Sequence, residues 1–353
     1  IELVDKANAA MEQVARWMED HHLELAPEKT EAALLIGRKR CKPLLGLALR
    51  GHAVETKKEV KYLGIVLDQG LTFAPHIPQA LGKAKKAAAA LARIMPRTRG
   101  AGEAKRRLLA GVATSIALYG APVWAHAMAR KRNVARMAAV QRITETRVSR
   151  AYRTAATDGV LAIAHLIPWH LSAAERKLRY DDSRESDPTK RKTKKQRREE
   201  TLQKWQEEWQ REAEGGRWTR RLIPDVRLWY GRKFGKLNYH LTQALTGHGS
   251  FRHFLHRIGK AEGPECLQCM TGDGDTAEHA LEECDYFAYE RVVLQSAIGR
   301  VESAAEMVKA MLESPGKWAA VESFVTSVMR EKEKAERARR RVGAQRPQPL
   351  GGS

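Results

Sequence analysis

The chain has 353 residues, with 63 Lys+Arg against 42 Asp+Glu and a formal net charge of +21. At about 150 residues per domain, this length predicts two or three domains. The charge points to a polyanionic partner, nucleic acid ahead of an anionic membrane. No apolar run approaches the roughly 18 residues of a membrane span, and no signal peptide opens the chain. The apolar run poorest in Lys and Arg, Leu108–Met128, still contains Ser115, Tyr119, Pro122 and His126. Four cysteines are too few for a disulfide scaffold, which implies a reducing compartment. The first residue is Ile1, so the chain is expected to be a fragment of a longer protein.

The charge is unevenly placed. Residues 1–70 are neutral, 71–180 carry +16, 181–260 carry +9 and 261–353 carry −4. A +16 block between neutral and acidic flanks resembles a footprint for phosphates; the alternative is a solvated basic surface.

In chain order, residues 1–20 form an expected helix, with Leu3, Ala7, Ala10, Met11, Val14, Trp17 and Met18 at helical spacing. Short strands follow at Glu31–Ile36, Pro43–Leu49 and Val60–Leu67, with a turn at Arg50-Gly51-His52. From Pro75 the period becomes helical. Leu81, Ala84, Ala88, Leu91 and Met95 share one face, with Lys83, Lys86 and Arg93 nearly opposite and Arg97 and Arg99 just beyond Pro96. Such a helix packs by one side and presents cations on the other. Further helices are expected at about 101–119, 129–150 and 157–178; Arg106-Arg107 and Arg130-Lys131-Arg132 extend the basic block. Lys190–Arg198 has seven basic residues in nine and reads as a disordered linker, either a phosphate-contacting or nuclear-import segment or a plain solvated one. Leu202, Trp205 and Trp209 mark a helix that Gly215-Gly216 ends; the tryptophans are expected in a core, with base stacking as the alternative. Two more helices are expected in 300–338, the second with Trp318, Val321, Phe324, Val325, Val328 and Met329 on one side.

Cys266, Cys269, His279 and Cys284 form a C-x2-C-x9-H-x4-C pattern. A cysteine pair two apart makes a tight knuckle, and the His–Cys pair closes a tetrahedron of four protein ligands, which suits structural zinc. Unmetallated cysteines or a redox pair are the alternative. Cys41 reads as a lone buried apolar residue. Asp273-Gly-Asp275 fails as a calcium loop, because Glu278 and Cys284 stand where an EF-hand needs Gly and Glu. Ala261–Glu290 holds nine acidic residues and no Lys or Arg, so the knuckle is expected to hold the C-terminal region together or dock on the protein's own basic parts.

Several separated stretches carry a resemblance. Ala10–Ile36, with Leu25-Ala-Pro-Glu-Lys-Thr-Glu31, and Lys61-Tyr-Leu-Gly-Ile-Val-Leu-Asp68 look like the fourth and fifth polymerase motifs of one family. Tyr119-Gly-Ala-Pro-Val-Trp124 and Arg150-Ala-Tyr-Arg-Thr154 look like its thumb. Leu245-Thr-Gly-His-Gly249 and Asp275-Thr-Ala-Glu-His279 resemble the stretch entering its knuckle. Together they resemble the C-terminal part of a reverse transcriptase from a non-LTR (LINE-type) retrotransposon, nearest the insect-type, site-specific group with a C-terminal CCHC knuckle.

The resemblance implies an α+β fold: a small, largely antiparallel sheet with a helix, then a mostly helical thumb and linker, then a small zinc knuckle. It divides the chain into the end of a palm with a primer-grip hairpin (1–74), a strongly basic helical thumb (75–182), a basic linker and helical region (183–260), the knuckle (261–290), C-terminal helices (291–340) and a disordered tail (341–353). Lys29 matches an accessory lysine near the leaving pyrophosphate; Tyr62, Leu63 and Gly64 match the primer grip. Lys83, Lys86, Arg93, Arg97, Arg99, Arg106 and Arg107 are expected to track phosphates. The implied partners are an RNA template and a DNA primer or target, with no membrane. Mg²⁺ and dNTP are expected only in the full-length enzyme, whose catalytic Asp motif lies upstream in the family's order. The fragment alone is therefore expected to be inactive. Nuclear localisation with a cytoplasmic ribonucleoprotein stage is implied. The alternative is a stand-alone zinc-containing nucleic-acid-binding protein without catalysis.

Overall fold

The computed structural model of the protein describes residues 2–36, 46–211 and 215–344. It is α+β, dominated by helices. Helix α1 (Glu2–Asp20) lays Val4, Ala7, Met11 and Ala15 against Leu47, Leu49 and Val54. The expected apolar set on α1 is only partly used: Leu3, Val14 and Trp17 are exposed, and Trp17 stacks on His21 instead.

The expected sheet is replaced by three two-stranded pieces. β1 (Ala32–Ala33) pairs in parallel with β4 (Thr56–Lys57), and β2 (Ala48–Leu49) pairs antiparallel with β3 (His52–Ala53). Val60–Leu67 is not one strand but a hairpin, β5 (Glu59–Tyr62) antiparallel to β6 (Ile65–Asp68). The reason is at its centre: Leu63 (φ 46°) and Gly64 (φ 86°) are both left-handed, as a type I′ turn requires. The expected strand Pro43–Leu49 falls partly, and Cys41 wholly, outside the described residues.

The basic bundle follows. α2 (His76–Arg93) buries Ile77, Leu81, Ala84, Ala88 and Ala92 against α3 (Glu103–Ala117) and α5 (Lys131–Val148). Alanines on the facing sides let the helices approach closely. Between α3 and α5, the short α4 (Ala121–Trp124) buries Trp124, whose indole donates to the Tyr119 carbonyl at 2.8 Å. No single helix among the described residues is long and apolar enough to cross a membrane, and the apolar run 103–129 bends by 54°.

The helix expected over 157–178 is broken. α6 (Thr157–Ile163) ends before left-handed His165, and α7 (Trp169–Arg184) starts after Pro168. Proline disfavours helical geometry in the residue before it. Buried Gln141 of α5 secures the break, donating to the Ile167 carbonyl (2.9 Å) and accepting from the Trp169 N–H (2.7 Å).

The run Lys190–Arg198 is ordered, which corrects the disordered linker. It enters α8 (Lys194–Gln210) through a Thr193/Gln196 capping box. Arg197 forks onto Asp182 with two contacts of 2.7 Å and reaches Glu200 at 2.9 Å; Arg198 meets buried Glu175 at 3.0 Å. The chain's own carboxylates thus hold this basic run. Trp205 and Trp209 are core residues, 3% exposed.

α9 (Arg217–Leu222), α10 (Val226–Gly231), α11 (Tyr239–Thr246) and α12 (Arg252–Arg257) lead into the cysteine loop. α13 (Ala288–Ile298), α14 (Ala304–Met311) and α15 (Pro315–Ala344) follow. The largest core joins these elements, and buried Cys266 and Cys284 belong to it. The loop is therefore packed within the C-terminal region. Sequence periodicity missed α13, and α15 runs four residues into the expected tail, 341–353.

Candidate nucleic-acid interface and metal centre

On α2, Lys83, Lys86 and Arg93 are exposed opposite the buried alanines, and Arg99 is exposed beyond the helix. Among the described residues, Arg107 alone of the basic side chains between 71 and 160 forms an ion pair, to Glu103 at 3.7 Å. The three acids of that stretch are taken up elsewhere. Glu103 is buried and accepts from the Leu237 N–H, Asp158 pairs with Arg220, and Glu145 is fully buried without a partner. Burial raises the Glu145 pKa well above the ordinary carboxylate range.

Arg93, Arg97, Arg142, Arg147 and Arg153 line a cleft of about 450 Å³ between α2 and α5. Its floor includes Ala89, Ala92 and Ala139. Arg97 lies 5.3 Å over the Tyr152 ring. Periodicity did not single out Arg142, Arg147 and Arg153, because a helix face shows only once its neighbour is known.

Arg106 corrects the expected phosphate set. Its side chain is fully buried and donates to the carbonyls of Ala101 (2.6 Å), Arg147 (2.7 Å), Arg99 (2.8 Å) and Pro96. Burial, with Arg150 and Arg147 nearby, lowers its pKa to about 10. Arg150 joins it, donating to the Arg97 carbonyl at 2.8 Å. Both residues fix the loop that carries Arg97 and Arg99, and Arg106 is buried out of reach of a phosphate.

Tyr62 and Leu63 sit at the hairpin tip, 64% and 73% exposed. The Tyr119 hydroxyl donates to the Leu63 carbonyl at 3.0 Å, and a Cβ on Gly64 would come within 3.2 Å of the Tyr119 ring. Gly64 thus serves both the turn and the close approach of bundle to hairpin. Lys29 is exposed on a single turn at Pro27–Lys29, and no ion pair among the described residues ties it to the hairpin.

The four cysteine-loop residues do converge. The ligand atoms of Cys266, Cys269, His279 and Cys284 lie within 4.8 Å of one another. The Cys266 and Cys284 sulfurs are 3.9 Å apart, and the Cys269 sulfur is 3.4 Å from His279 Nε2. Tetrahedral zinc–sulfur bonds place two sulfurs about 3.8 Å apart, so the cluster could hold a metal ion. Local structure explains the spacing. The Cys266 N–H donates to the Asp273 carbonyl, folding the first pair back. His279–Glu283 is a wide π-type turn, with the Cys284 N–H bonded to the His279 carbonyl, which returns residues five apart to one side. Glu283 faces His279 Nδ1 at 3.4 Å, a carboxylate placed to orient the ring. Burial and neighbouring Cys266 push the Cys284 thiol up to about 12. At Cys269 burial acts in the same direction, but hydrogen bonds from Thr271, Cys266 and His279 outweigh it and bring the thiol down to about 6. A dication is what would let all three sulfurs ionise together.

Three of the loop's nine acids have cations from elsewhere in the chain. Lys332 of α15 is buried against Asp275 and also donates to Gln268, between the first two cysteines, at 3.0 Å. Asp275 accepts the Arg252 N–H at 2.8 Å. Arg221 of α9 reaches Glu278 (2.6 Å) and Glu282 (2.8 Å). Lys332 was legible but unread: it continues the stripe Val321, Val325, Val328 at helical spacing, so it had to point inward.

No family model matches the chain, and no solved structure matches it. Curated relatives do, among them the following three. The chain is 27% identical over 274 residues to the Retrovirus-related Pol polyprotein from type-1 retrotransposable element R1 of Bradysia coprophila, covering 73% of this chain and 27% of that protein. It is 30% identical over 302 residues to the putative 115 kDa protein in type-1 retrotransposable element R1DM of Drosophila melanogaster, covering 81% and 29%. It is 25% identical over 308 residues to the Pol polyprotein of element R1 2 of Nasonia vitripennis, covering 79% and 72%. The chain thus spans less than a third of the first two relatives. It is a homologue of R1 non-LTR retrotransposon Pol polyproteins, and so a protein derived from a retrotransposon open reading frame.

Proposed function

We propose that this chain is the section of a retrotransposon reverse transcriptase that grips template and primer, and that it contributes positioning instead of the chemical step. The observation that carries the reading is the unpaired cation surface of α2 and α5. Cations without carboxylate partners on a rigid bundle favour phosphates, and no base edge needs to be read. The β5–β6 tip, with exposed Tyr62 and Leu63 braced on Tyr119, is suited to a primer end. In this reading Cys266, Cys269, His279 and Cys284 hold structural zinc, since three thiolates and an imidazole are a soft, closed donor set. The partners are an RNA template and a DNA primer or target, encountered in the nucleus.

The test is a salt titration of template–primer duplex binding. Lys83→Gln/Lys86→Gln/Arg93→Gln is expected to lower the slope of log K against log salt by about 2.7. An unchanged slope rejects the reading.

A further inference from the structure

We infer that the cavity between α9, α12 and the cysteine loop binds one unpaired nucleotide of a single strand, with its base against Trp218 and His248 and its phosphate on Arg217 and Arg257. The cavity measures about 310 Å³, within the usual range for small-ligand sites. Its aromatic walls are fixed. The Trp218 indole donates to the Ala244 carbonyl at 2.7 Å and carries Arg221 at 4.9 Å from its ring. The second ring is His248, held from behind by buried Phe254 (4% exposed) with ring centroids 4.6 Å apart. Rigid aromatic surface beside cations is what stacks bases without reading sequence.

The charge of the cavity is equally specific. Arg217 and Arg257 are exposed and form no ion pair among the described residues. The one carboxylate in the wall, Glu278, is held by Arg221 at 2.6 Å. Burial, with Arg257 and Arg142 nearby, keeps His248 down to about 4, so its ring is neutral near pH 7. The wall thus carries two free guanidinium groups and one carboxylate that is already paired, a lining that suits an anion with a planar group.

Placement supports a strand over a free nucleotide. Arg153 lines the arginine cleft of the bundle, and Ala156 lines this cavity. His248 Nδ1 lies 2.9 Å from the Thr154 hydroxyl between them. Three residues of chain span at most about 10 Å. A strand lying in the cleft can deliver its next base here. The inference builds on the phosphate-binding reading of the bundle, but its test is separate.

Tetranucleotides carrying 5-iodouracil, in RNA and in DNA form, are photocrosslinked to the full chain and the attached peptides mapped. Attachment within 216–219 or 252–257 is expected, and the two arms identify which strand is the source. Attachment of both forms only to α2–α5 overturns the inference. In solution, Arg217→Gln/Arg257→Gln, which frees one phosphate, is expected to lower the single-strand salt slope by about 0.7. An abasic tetranucleotide is expected to bind the wild-type chain about tenfold more weakly than its base-bearing counterpart. An unchanged slope, or equal binding of the abasic strand, also overturns it. Failure of the duplex salt test with these results intact would leave the cavity and reject the bundle.

Discussion

The bundle of α2, α3 and α5 and the region around the cysteine loop handle charge in opposite ways. In the bundle, cations stand on rigid helices while the few acids are buried or committed to other helices. Around the loop, three carboxylates (Asp275, Glu278 and Glu282) are paired with Lys332 and Arg221 from distant segments. The lesson concerns net charge as evidence. The same excess can be spent inside the fold or left for a partner, and only pairing distinguishes the two. The basic run 190–198 makes the point: its cations face Asp182, Glu175 and Glu200.

The sharpest way to break the comparison is at the metal centre. Cys269→Ser, or a chelator, should unfold the region from α9 to α15, since structural zinc contributes about 10–16 kcal/mol of apparent folding energy. Hydrogen exchange should show α2–α5 still protected; loss of both regions together would mean they are one cooperative unit. Next, Lys332→Met should cost about 3–5 kcal/mol in denaturant unfolding by stranding buried Asp275. It should leave the nucleic-acid salt slope untouched, and a changed slope would mean that this pairing also serves binding.

A smaller effect separates two arginines of the bundle. Arg106→Met should destabilise by about 2 kcal/mol, leaving buried carbonyls without donors. Arg93→Gln should change stability by less than about 0.5 kcal/mol yet lower the salt slope by about 0.9. The reverse pattern would exchange their roles. The smallest effect is a titration. Arg197 holds Asp182 down to about 2, against an ordinary value of 3.8. A depressed carboxylate stabilises fully above the higher value and loses that contribution as pH falls through the lower one. The α7–α8 contact should loosen between pH 3.8 and 2, read by exchange of α8 amides. Asp182→Asn should remove this pH dependence; a variant that keeps it would place the titrating group elsewhere.

Much of this was legible in the sequence where one period or one spacing carried it. The alanine face of α2 and the four-ligand pattern needed no knowledge of neighbours. The misreadings came from features set by other elements. Val60–Leu67 reads as one strand by composition, yet Leu63-Gly64 reverses it. Lys190–Arg198 lacks apolar anchors, yet Asp182 and Glu175, far back in the chain, order it. Arg106 looks like any surface cation until the carbonyls of the 96–101 loop close around it.

The buried Lys332 has a consequence for synthesis. It lies 57 residues beyond its carboxylate partner, so all four ligand residues emerge from a ribosome well before the cation that covers their loop. Until the last helix is made, Asp275 has no buried cation beside it and keeps its water. Only when the last helix docks does that carboxylate become dry.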